Sequence, residues 1–148
     1  MRGLLFVTKL AIEILLLPIL FIIASLGRFS RRSIDVGLGP EPLINNIYHK
    51  QALESYGYTA ETFVSDVYFI TDKFDVRGDK IFSNKYPRIQ NVLSNLYLFV
   101  MSLVRYRCIY IYFNGGPMGI WTSFLWGIEP FLYKLASVKV IIMPYGGD

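Results

Sequence analysis

The 148-residue chain has room for one domain of ordinary size, and its 53% hydrophobic content is ample for a core, which excludes a disordered chain. Its 15 Lys and Arg against 11 Asp and Glu give a net charge of +4, with basic residues gathered at Arg28, Arg31 and Arg32. That favours a membrane surface and no nucleic acid, which would call for a longer basic stripe.

The amino-terminal stretch "LLFVTKLAIEILLLPILFIIASLG", residues 4–27, carries most of the excess behind a mean hydropathy of +0.41. Twenty-odd residues at about 1.5 Å each reach across a bilayer core, and a charged pair near one end equally suits a helix lying in the interface. Lys9 and Glu13 stand four apart, so on a helix they share a face and can pair. A signal peptide has the same plan, but this stretch is long for one. It also runs straight into "GRFSRRS", where a cleavage site is normally free of positive charge. The expectation is an anchor helix with a basic flank over residues 1–32 and a folded domain over 33–148. The three arginines place that domain on the cytoplasmic face of the cytoplasmic membrane, against a weaker opposing pull from Arg2 and Lys9.

From Ser33 onward short apolar runs alternate with amphipathic ones. "SIDVGLGP" predicts a strand ending in glycines, residues 42–56 a helix stopped by Gly57, and "YTAETFV" a second strand. "VYFITD" is a short third strand or a loop edge. The polar stretch 71–86 is the expected mobile loop. Pro87 opens a helix over 88–106, "CIYIYF" is a buried strand, and residues 122–136 form a helix kinked or broken at Pro130; "VKVIIMP" closes the series. Strand, glycine loop, helix and strand in repetition predict an α/β fold: a Rossmann-like parallel sheet with helices on both faces, preceded by a hydrophobic membrane helix.

Parallel sheets bind ligands beyond the carboxyl ends of their strands. Three glycine loops are expected there: Gly37, Gly39, Pro40 and Glu41 in "GLGPE"; Asn114, Gly115 and Gly116 in "NGGPMG"; and Tyr145, Gly146, Gly147 and Asp148 in "YGGD". Glycine lets backbone N–H groups approach an oxyanion, and the neighbouring polar side chains fix hydroxyls. "GLGPEP" is not a dinucleotide fingerprint, because Leu43 takes the third glycine's place and Pro40 and Pro42 crowd the turn. The lone His49 and the lone Cys108 support neither a zinc site nor a nucleophile pair, and Cys108 reads as a buried structural thiol. Tyr110, Tyr112 and Phe113 read as core. Glu41 and Asp148 are the carboxylates best placed to face a cleft, Asp148 as a helix cap, a ligand contact or both.

Together "IDVGLGPEPLINNIYHKQALESYGY", "IYFNGGPMG" and "KVIIMPYGGD" resemble the amino-terminal half of glycosyltransferases of the GT-B fold, of the broad family 4 type. The resemblance implies that this half holds the acceptor, with Gly37 to Gly39 near the donor's phosphates and Asn114, Gly115 and Gly116 on the acceptor side. Asp148 would be the catalytic residue. It further implies retaining transfer from a nucleotide sugar to a lipid-linked or polysaccharide acceptor, with no metal and no other cofactor. The donor-binding half is not in the chain, so the expectation is an amino-terminal piece that is inactive alone. The alternative is a complete, non-catalytic anchoring subunit that recruits a separate donor-binding subunit. A remoter one is a small membrane-bound α/β protein that binds another phosphate compound.

Overall fold

The computed structural model describes residues 2–67, 71–82, 86–119 and 121–144. The chain runs α1 (Arg2–Gly27), β1 (Ile34–Leu38), α2 (Ile44–Ser55), β2 (Ala60–Val64), β3 (Val76–Arg77), α3 (Gly78–Ile81), α4 (Pro87–Arg105), β4 (Tyr106–Tyr112), α5 (Leu125–Leu135) and β5 (Lys139–Met143). The five strands form one all-parallel sheet in the order β3-β2-β1-β4-β5. This is the Rossmann-like α/β arrangement expected from the alternation.

Alternation along the central strands sends successive side chains to opposite faces. On one face Val36, Leu38 and Ala60 pack with Leu53 of α2 and Tyr110. The other carries the main core, where Ile109 and Ile111 meet Leu98, Phe99 and Leu103 of α4 and Leu125, Leu132 and Tyr133 of α5. Leu20 and Ala24 of α1 belong to that same core, so the boundary at residue 32 divides the sequence and not the packing. By length and composition α1 can cross a membrane. Glu13 does not serve to pair with Lys9: its oxygens accept the backbone N–H groups of Ser123 at 2.6 Å and Phe124 at 3.0 Å.

The polar stretch after β2 is more ordered than its composition predicts. It holds β3 and α3, because Asp75 accepts from the Thr62 backbone N–H (2.8 Å) and hydroxyl (2.7 Å) and from Lys50 Nζ (2.6 Å). Of the alternative third strand "VYFITD", residues 68–70 lie outside the described residues, and Val67, Thr71 and Asp72 are not in a strand. Helix α5 continues through Pro130 without a break. Phe113, expected in the core, is 70% exposed just past the end of β4.

Candidate functional site

The chain turns to opposite sides of the sheet after β1 and β4, which are neighbours, so their carboxyl ends flank a crevice at the topological switch point. A cavity of about 260 Å³ lies there. Pro40, Glu41 and Pro42 line it from the loop after β1, and Asn114, Gly115, Gly116, Pro117 and Trp121 from the loop after β4. Ser65 and Asp66 enter from the end of β2, and Asn91 and Asn95 from the first turns of α4.

The loops are cross-braced. Asn114 Nδ2 donates to Glu41 Oε1 at 3.2 Å across the crevice. The Glu41 backbone carbonyl accepts from Asn46 Nδ2 at 2.8 Å, and Asn46 Oδ1 accepts from the Tyr112 hydroxyl at 3.0 Å. Asn46 is buried, so this chain ties α2 and β4 to the β1 loop behind the cavity. On the far wall Ser65 Oγ donates to Asn95 Oδ1 at 2.5 Å, and Asn95 Nδ2 donates to the Asn91 carbonyl at 2.8 Å.

Two glycines of the β4 loop have distinct physical reasons. Gly115 has φ of +95°, a conformation that disfavours any side chain. At Gly116 a Cβ would lie 1.9 Å from Glu129 Oε1. Glu129 is 3% exposed and receives the Tyr133 hydroxyl at 3.2 Å and a backbone hydrogen bond from Met118. Burial outweighs those bonds and pushes its carboxyl up to about 7. Burial and the neighbouring Asp79 also raise the Asp66 carboxyl.

Five of the predicted residues, Pro40, Glu41, Asn114, Gly115 and Gly116, meet in the cavity. Gly37 and Gly39 do not. Gly37 lies within β1, where the Tyr106 ring fills the space of its missing side chain. Gly39 sits against the Phe63 carbonyl and donates its N–H to Tyr110 O at 3.1 Å, so that N–H is not available to a phosphate. Tyr145, Gly146, Gly147 and Asp148 lie outside the described residues. Half-buried Cys108 and His49 do not line the cavity.

Sequence reading missed Ser65, Asp66, Asn91, Asn95, Trp121 and Glu129. Asn91 and Asn95 carried a signal, two amides one turn apart on a mainly apolar helix.

No protein-family model, curated protein or solved structure matches the chain. The chemistry of the cleft is therefore that of its own atoms. Amides, carboxylates and a hydroxyl converge with one tryptophan, and among the described residues the lining contains no Lys or Arg. Among the described residues no cluster of His, Cys, Asp and Glu could hold a metal ion. Such a wall suits a neutral, hydroxyl-rich ligand: amides and carboxylates pair with hydroxyls, while an indole covers a C–H face. It repels an unscreened diphosphate. A larger apolar cavity of about 580 Å³ lies beyond the same loop, between Phe113, Trp126, Pro130 and Ile142, with Glu129 and Tyr133 also in its lining.

Proposed function

We propose that the chain is the acceptor-binding half of a membrane-associated glycosyltransferase, holding the sugar of a lipid-linked or polysaccharide acceptor in the cleft between the β1 and β4 loops. The observation that carries this is the composition of the wall, rich in amides and carboxylates and without a cation among the described residues, at the switch point of a parallel sheet. Asn91, Asn114 and Glu41 would orient acceptor hydroxyls. Asp66, made more basic by its burial, would accept a hydrogen bond from the hydroxyl to be glycosylated. A separate donor-binding half would bring the nucleotide sugar and carry out retaining transfer without a metal, so this chain alone would be inactive. The exposed Arg28 and Arg31 after α1 suit the anionic lipids of a cytoplasmic leaflet, which supports a cytoplasmic-face location.

A second reading, a non-catalytic anchoring subunit that recruits a separate catalytic one, is favoured by the exposed Phe113, Trp126 and Ile142 around the apolar cavity. Such an apolar rim suits a partner domain. Native membranes containing the chain, supplied with labelled nucleotide sugars, are expected to form a labelled lipid-linked or polymeric product. Asp66→Asn and Asn114→Ala should reduce its formation. Labelling that is independent of the chain would overturn the enzymatic reading.

A further inference from the structure

The seating of α1 on the domain decides how it can meet a membrane. Glu13 accepts from the backbone N–H groups of Ser123 and Phe124 just before α5. Fourteen residues later Gly27 lies beside Ala136, and the Arg32 guanidinium donates to the carbonyls of Gly27, Ala136 and Ser137. Helices α1 and α5 therefore run side by side in the same direction for about 20 Å. The contact is clamped at both ends, a carboxylate at the amino end of α5 and a guanidinium at its carboxyl end, each matching the helix dipole. The stretch from Glu13 to Gly27 is thus held along the domain, with Leu20 and Ala24 buried in the domain's main core.

The outward face of the docked segment is apolar apart from Ser25, whose hydroxyl donates to the Phe21 carbonyl within the helix at 2.8 Å. Ile12, Leu15, Ile19, Ile22 and Leu26 are exposed, and no charged residue occurs between Ile14 and Gly27. A helix paired with a protein partner in water would carry polar flanks beside its seam, and here the flanking positions are Ala11, Ile14, Pro18 and Ser25. Exposed cations stand at both ends, Lys9 at one and Arg28 and Arg31 at the other, with Phe29 82% exposed between the two arginines. Crossing would put these cations on opposite surfaces, whereas lying flat puts both groups into one layer of headgroups.

We infer that α1 is an in-plane membrane-docking helix fixed to the domain, seated on the surface of an anionic bilayer and not crossing it. One consequence rests on the acceptor reading. The apolar slot between α1 and α4, about 290 Å³, reaches Lys9 and Ile12 and shares Asn95 and Trp121 with the polar cleft, so a lipid-borne sugar would approach from the seated face.

The seating is tested without reference to sugars. In the full chain carrying Cys108→Ser, a cysteine appended ahead of Met1 and, separately, Ser33→Cys are labelled with a membrane-impermeant maleimide in sealed vesicles of both orientations. Both positions are expected to react from the same side; reaction from opposite sides would overturn the proposal. With purified chain, binding to mixed phosphatidylglycerol and phosphatidylcholine vesicles should weaken roughly fivefold for each of Arg28→Gln and Arg31→Gln. A soluble oligomer that ignores these vesicles would also overturn it.

Discussion

Glu13 and Glu129 are single acids inside apolar helices, and they have different partners. Glu13, 4% exposed, has backbone N–H groups directed at both oxygens, whereas Glu129 is enclosed against the backbone of Gly116 and its carboxyl rises to about 7. An unfolded glutamate titrates near 4.5, so between 4.5 and about 7 the folded chain holds a proton that the unfolded chain has released. Stability from this group is full below the lower value and is lost as pH rises through the upper one, by about 3 kcal/mol. The aspartates held low, Asp75 and Asp79, act in the opposite sense at more acid pH. Thermal unfolding at pH 5 and pH 8 is expected to show a falling melting temperature for the native chain and a flatter response for Glu129→Gln. Equal slopes would remove Glu129 as the source. At Gly39 an added Cβ would lie 2.0 Å from the Phe63 carbonyl, while at Gly57, with φ of +85°, it would meet nothing within 4 Å. Gly39→Ala should therefore cost about 3 kcal/mol or prevent folding, and Gly57→Ala about 1 kcal/mol, measured by denaturant unfolding.

At the scale of elements, α1 and α5 depend on one another. Glu13→Ala should lower stability by about 1 to 2 kcal/mol and speed amide exchange in the first turn of α5, with Glu13→Gln losing less. Unchanged exchange there would mean the cap is not needed. The existence of α1 was plain from its apolar run, because hydropathy is a local property. Its docking was not, since the partners of Glu13 and Arg32 lie about a hundred residues away. Strand β3 and helix α3 were hidden for a related reason: charged residues that usually mark a loop are here held by Asp75 to Thr62 and Lys50, and by Arg77 to Asp79 at 2.6 Å. The proline in α5 predicted a kink or a break, and the helix is not broken there. Packing of Leu125, Leu132 and Tyr133 in the core carries the helix past it.

For the whole molecule, the parallel sheet followed from the order of runs, because each apolar run too short for a buried helix needs a crossover helix to reach its neighbour. The switch point followed less directly. Gly115 and Gly116 of the β4 loop do line the crevice, but Gly37 in β1 and Gly39 just after it make room for Tyr106 and the Phe63 backbone, which only the packed sheet discloses. The amides of α4 and the acid after β2 come to the cleft through strand order, which the linear pattern does not contain. The cleft that results is polar, carries the carboxylates of Glu41 and Asp66 among its described residues, and lies beside a membrane-competent helix. The decisive measurement is equilibrium binding of the full chain in lipid nanodiscs to a panel of short neutral glycans and nucleotide sugars, followed by saturation-transfer NMR. A glycan should bind, with Asn91→Ala or Asn114→Ala weakening it about tenfold, while free nucleotide diphosphates give no signal. Binding of nucleotide sugars in preference to every glycan, or glycan binding indifferent to both asparagines, would contradict an acceptor cleft at this switch point.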